Sequence, residues 1–180
     1  IRQCANSLRS RPRSPGCGPV IVNAGQSGYY RVAYSPDMFA AISKAFPEVA
    51  AVDQLGLLSD TGALGLAGVK PMADLMQLVQ ATPATAEPEV LTAGANYLSS
   101  LYAYAEGQPQ LQQRLTKFAA AKYGPVLEKL GWTPKEGEPE TEAELRGSLI
   151  ALLGGVGEPK VVKEAKRRFA ASTSDPSAID

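Results

Sequence analysis

The sequence predicts a mostly α fold: an irregular, HEAT-like superhelix of antiparallel helix pairs, preceded by a β-hairpin. Three observations lead there. Apolar residues recur at three- and four-residue spacing through most of the chain after residue 35, as they do in helices with one buried face. Proline opens most of these segments, at Pro36, Pro71, Pro88, Pro109 and Pro159, and glycine closes several, at Gly68, Gly107 and Gly131. That asymmetry marks helix starts and stops. Between residues 19 and 34 the pattern changes type. Val20, Ile21 and Val22 precede the turn material Gly25-Gln26-Ser27-Gly28, and the stretch from Tyr29 to Tyr34 is aromatic and β-branched. Two strands, 19–23 and 29–34, joined by a short loop are expected. Two strands alone are marginal in water, so the hairpin is expected to belong to a larger sheet outside this chain.

The first helix starts at Ser35-Pro36-Asp37, with serine as N-cap and a carboxylate in the positive first turn, and Pro47 ends it. The second, 50–67, confines its polar residues to a narrow stripe of Asp53, Gln54, Ser59, Asp60 and Thr61. The rest of its surface is apolar, so neighbours are expected on most sides. Gly56, Gly62 and Gly65 each cost about 1 kcal/mol of helix propensity against alanine, and close helix–helix approach is the expected reason. A third helix follows Pro71, with Met72 and Met76 as core filler. A fourth runs from Pro88 to about Ala105. The fifth starts at Pro109 and should break or kink at Gly124-Pro125. Thr141-x-x-Glu144 has the form of a capping box opening the sixth. Glu158-Pro159 launches the seventh, with Val161, Val162, Ala165 and Phe169 at core spacing and Lys166, Arg167 and Arg168 in its last turn. Helix pairs recurring roughly every 30–45 residues match the period of helical solenoids.

Composition narrows the function. The 180 residues, 44% hydrophobic, suit one ordinary domain with a fragment of a second attached. Lysine and arginine balance aspartate and glutamate, 18 to 18, which argues against a nucleic-acid or anionic-membrane partner. No apolar run approaches the ~20 residues of a membrane span. Arg9, Arg11 and Arg13 lie in a Ser/Pro-rich leader, 1–18, read as disordered or extraneous rather than as a phosphate-binding arm. The chain has no histidine, and so no imidazole metal ligand, no Ser–His or Cys–His pair and no histidine base. Cys4 and Cys17 both fall in the leader. No cofactor or metal is expected in the chain itself. Its start lacks a methionine and an apolar signal segment, so a piece of a longer polypeptide is expected.

Few groups are placed to do chemistry. Asp53 and Asp60 share a helix face, either as a carboxylate pair or as a hydrogen-bonding stripe. The acidic run Glu136, Glu138, Glu140, Glu142 and Glu144 reads as a solvated loop with dipole complementation, lacking a calcium-loop pattern. Arg146 sits in a first turn beside Leu145, where the dipole disfavours cations. It either pairs with a neighbour such as Glu142 or is held toward a cavity to meet a carboxylate. Tyr29, Tyr30 and Arg31 divide between interdomain packing and ligand contact.

The run Asn-x-x-Gln-x-Gly-Tyr-Tyr-Arg-Val-x-Tyr from Asn23 to Tyr34 resembles the junction between the β-sandwich and the C-terminal helical domain in zinc aminopeptidases of the aminopeptidase N type. Leu57-Leu58-Ser59-Asp60 with Ala63-Leu64 and Ala67-Gly68 resembles that family's second-helix pattern. Leu130-Gly131-Trp132, Gly137-Glu138, Leu145-Arg146, Glu164-Ala165 and Phe169 resemble its C-terminal signature. Gln54-Leu55-Gly56 departs from it where relatives often carry an arginine, and the loop 81–87 is almost uncharged. The resemblance implies a parent enzyme that removes amino-terminal residues from peptides with zinc held by two histidines and a glutamate upstream. It implies that upstream catalytic and β-sandwich domains are partners, and that this domain is a bowl of helices closing the peptide chamber, with Arg146 facing a peptide carboxylate. Relatives occur both inside cells and exported.

The expected organisation is a leader (1–18), the last hairpin of a truncated β-sandwich (19–34), an α-helical domain (35–171) and a tail (172–180). The expected role is chamber closure without peptidase activity in isolation. The alternative is a free-standing helical repeat scaffold that binds a peptide or protein partner on a concave face. A scaffold should cap its own ends, whereas a severed domain should leave strand edges unpaired and apolar residues near Tyr29 exposed.

Overall fold

The computed structural model describes residues 19–173. The predicted leader, with both cysteines and its three arginines, and residues 174–180 of the predicted tail lie outside the described residues. Those described form seven α-helices and no strand. They fall into two compact units, divided between Ala86 and Glu87.

The first unit holds α1 (Pro36–Ala45), a 3-10 turn (Phe46–Glu48), α2 (Ala51–Leu66) and α3 (Met72–Ala81). Ser35 caps α1 as predicted, its hydroxyl accepting from the Met38 amide. Pro47 stops α1 because a proline ring clashes with the preceding turn. The chain then tightens into the 3-10 turn, and the side-chain amide of Gln54 donates to the Phe46 carbonyl at 2.8 Å. Ile42, Phe46, Leu58, Leu75, Leu78 and Val79 are buried at its centre.

The second unit holds α4 (Pro88–Tyr104), α5 (Pro109–Leu130), α6 (Glu140–Gly155) and α7 (Pro159–Ser172). Helix α6 packs against α4, α5 and α7. Its sequence explains that place: the charges sit in its first two turns, and beyond them Leu149, Leu152 and Leu153 are buried.

Several local expectations are corrected. The two predicted strands do not form. Their arms are joined, but by side chains: the Tyr34 hydroxyl bonds the Val22 amide at 3.0 Å, and Asn23 bonds Gly28. Without further strands to pair with, a ladder this short is not favoured over such bonds. Helix α5 is not broken at Pro125. The proline costs the Ala121 carbonyl its helical partner, a loss one long, well-anchored helix can carry. Thr141 is not an N-cap; Pro139 is, its carbonyl accepting from the Glu142 and Ala143 amides. The basic trio of α7 lies before the last turn, because the helix runs on to Ser172. Phe169, expected in the core, is 71% exposed. Gly56 makes room for a side chain rather than a helix, since a Cβ there would collide with Gln26.

Candidate functional site

The dodecapeptide 23–34 is a loop bonded down onto α2, and its residue types follow from that geometry. Asn23 and Gln26 both have positive φ, 63° and 52°, and Gly25 reaches 77°; asparagine and glycine tolerate that region best. The Asn23 amide acts as a surrogate strand. Its Oδ1 accepts from the Gly28 amide at 2.7 Å and its Nδ2 donates to the Gly28 carbonyl at 3.0 Å. A Cβ on Gly28 would meet the Tyr30 ring and Asn23 itself. The Gln26 side chain donates to the Asn23 carbonyl and lies over Gly56.

Two carboxylates of α2 hold this loop. Asp53 Oδ1 accepts from the Gly25 amide at 2.7 Å, and Asp60 Oδ2 accepts from the Val32 amide at 3.0 Å. The acceptors are seven residues apart, two helical turns on one face, and so are the donors. The loop therefore runs alongside the helix in the same direction. The stripe foreseen on α2 is a docking rail for backbone amides, which decides between the two readings of Asp53 and Asp60. Arg31 completes it, its Nη1 donating to Ser59 Oγ at 2.7 Å and Asp60 Oδ1 at 3.2 Å. At the end of the loop Tyr34 is buried, and burial pushes its hydroxyl pKa up. Lys70 Nζ donates to the Tyr34 carbonyl at 2.6 Å.

Among the described residues, nothing covers the outer side of the loop. A groove of about 710 Å³ runs between it and α2, with Tyr29, Tyr30, Arg31 and Val52 in its walls. Tyr29 is fully exposed and Tyr30 is 55% exposed. The backbone amides of Tyr29, Tyr30, Arg31 and Ala33 make no hydrogen bond among the described residues. The three sequence candidates of this segment are thus gathered at one open groove.

Arg146 belongs to the second unit, where it pairs with a nearby glutamate. It is 3% exposed. Its two Nη atoms engage both oxygens of Glu138, a two-pronged pair whose side chains are each 4% exposed. Its Nε donates to the Gly131 carbonyl at 3.0 Å, and Nη2 reaches the Leu130 carbonyl at 3.5 Å. The partner is Glu138, not Glu142, and the guanidinium is not presented toward an open cavity. Helical spacing points to Glu142, four residues before Arg146. Glu138 sits instead in the 131–139 connection, turned back by Gly137 at φ 75°. Hydrogen bonds from Arg146 hold the Glu138 carboxyl below the usual range and raise the Arg146 pKa in return.

Next to this pair, the Arg168 guanidinium lies 5.2 Å from the centre of the Trp132 ring. Glu164 accepts from Arg167 and Arg168 and is held down to about 2, chiefly by the Arg167 hydrogen bonds. Among the described residues no three histidine, cysteine, aspartate or glutamate side chains group so as to hold a metal ion. No helix there is long and apolar enough to cross a membrane.

Fold and site together define an α-helical domain entered through a loop that its second helix holds by two aspartates. The chain belongs to the ERAP1-like C-terminal domain family, whose model matches residues 19–180. It is similar to Aminopeptidase M1-A of Oryza sativa subsp. japonica, 32% identical over 153 residues, covering 83% of this chain and 17% of that protein. Aminopeptidase M1 of Arabidopsis thaliana is 30% identical over 165 residues, 88% of this chain and 18% of that protein. Tricorn protease-interacting factor F2 of Thermoplasma volcanium is 27% identical over 155 residues, 86% of this chain and 19% of that protein. The chain thus spans under a fifth of the length of each of these relatives. It corresponds to the C-terminal domain of aminopeptidase M1-like proteins.

Proposed function

We propose that this chain closes and shapes the substrate chamber of a zinc aminopeptidase that removes amino-terminal residues from peptides. The zinc and the bond-breaking chemistry come from an upstream domain. The observation that carries this reading is the family match over residues 19–180 in a chain without histidine. A zinc site of two histidines and a glutamate cannot be assembled from these residues.

The bare groove supports a junction with an upstream β-sandwich. We infer that 29–33 joins that sheet as a strand, with Tyr29, Tyr30 and Arg31 packed at the interface. Unpaired amides and exposed tyrosines are what a severed domain leaves, which favours this reading over a self-capped scaffold. In the same proposal the helices curve as antiparallel, HEAT-like pairs around the peptide. Arg146 then serves the chamber from behind, by fixing the 131–139 connection; a peptide carboxylate would reach it only in exchange for Glu138.

The test is hydrolysis of aminoacyl-arylamides by the purified chain with added zinc. No turnover is expected. Turnover abolished by a chelator would overturn the assignment of chemistry to another domain.

A further inference from the structure

Helix α7 has little apolar anchorage. Of its 14 residues only Val161 is buried, and Phe169 on the predicted core stripe is exposed. One valine is a small hydrophobic hold for a helix of four turns. Polar contacts add to it at Arg168. Its guanidinium stacks on Trp132 at 5.2 Å, and its Nη2 donates to Thr133 Oγ1 at 3.3 Å. Lys160 and Glu128 add an exposed pair at 3.1 Å.

Trp132 and Thr133 belong to no helix. They lie in the 131–139 connection, and Arg146 holds both of its ends: the start through the Leu130 and Gly131 carbonyls, the end through Glu138. We propose that the Glu138–Arg146 pair is a latch: by fixing the 131–139 connection it presents Trp132 to Arg168 and so keeps α7 docked. Release of the latch frees α7 from the rest of the unit. It also dismantles a groove of about 550 Å³ whose walls come from α5 at Gly124 and Pro125, from Trp132, and from α7 at Lys160 and Val161. Arg146 is here a positioning residue that acts on α7 through the connection. Helix α4 also packs on α6, and Leu91, Ala95, Leu98, Leu149 and Leu152 of these two helices are buried.

The experiment uses the 180-residue chain and four variants: E138Q, R168M, the two combined, and R146K, which keeps the charge but not the two-pronged fork. Amide exchange is followed by mass spectrometry across 159–172 and 88–104. Emission of Trp132, the only tryptophan, is followed in parallel. E138Q and R168M should each speed exchange in α7 by about tenfold, and the double variant by no more than the faster single, because both interrupt one relay. R146K should match E138Q, and both should shift Trp132 emission to the red. The latch is overturned by unchanged α7 exchange in E138Q, by multiplied effects in the double variant, or by equal acceleration in α4, which would mean general stabilisation. Should E138Q not fold, unchanged α7 exchange in R168M overturns it equally.

Discussion

Replacing Asp60 by alanine tests whether backbone docking, and not the surface ion pair, holds the 23–34 loop. Asp60 accepts two bonds, from the Val32 amide at 3.0 Å and from Arg31 at 3.2 Å. The first is a charge-assisted bond to a carboxylate whose side chain is 13% exposed, worth about 1.5–3 kcal/mol. The second involves an arginine that is half exposed, and such pairs contribute about 0.2–1 kcal/mol. D60A should therefore destabilise the loop by about 2–3 kcal/mol, and R31A by less than about 1. At about 1.4 kcal/mol per tenfold, the Val32 amide should exchange roughly 30–100 times faster in D60A. Gly25, bonded to Asp53 instead, should change several-fold less, and D53A should reverse the pattern. Nuclear magnetic resonance exchange of these two amides is the assay. Equal costs for R31A and D60A, or equal acceleration of both amides in D60A, would refute the two-point rail.

Three further outcomes are expected. Alanine at Gly56 gains about 1 kcal/mol of helix propensity but meets the Gln26 side chain; urea midpoints should show stabilisation by G56A in a Q26A background and not in the wild type. Tyr123 is fully buried with no partner for its hydroxyl among the described residues, and burial pushes its pKa up. Since an unpaired buried hydroxyl costs about 1–3 kcal/mol, Y123F should be neutral or stabilising, and a loss above about 1 kcal/mol would contradict the geometry. Glu138 and Glu164 have folded pKa values below the ordinary 4.5, Glu164 at about 2. Their stabilisation is complete above that ordinary value and is lost as pH falls through the folded ones. The melting temperature of E138Q should therefore fall less steeply below pH 4.5 than that of the wild type, and identical slopes would count against the pair.

Helix positions were legible because they rest on local chemistry. Ser35, Pro88, Pro109 and Glu158 each mark a start within one or two residues, through caps and prolines that need no tertiary partner. Failures came where a distant group decides the outcome. The arms of the predicted hairpin gave their hydrogen bonds to Asn23, Tyr34, Asp53 and Asp60, the last two about 28 residues away along the chain. Periodicity placed Phe169 inward, but α7 has too few neighbours to cover it. At the site, Tyr29, Tyr30 and Arg31 are legible from residue type alone. The Arg146 partner was missed because Glu138 reaches it through a turned connection, to which helical spacing is blind.

Amide exchange at residues 29–33 tests the account's centre most directly. It is to be measured in the chain alone and in the longer polypeptide that joins it to the proposed upstream sandwich. The account predicts rapid exchange of Tyr29, Tyr30, Arg31 and Ala33 in the first and strong protection in the second. Equal, rapid exchange in both would mean that this edge receives no neighbouring strand, and the proposed junction would be wrong.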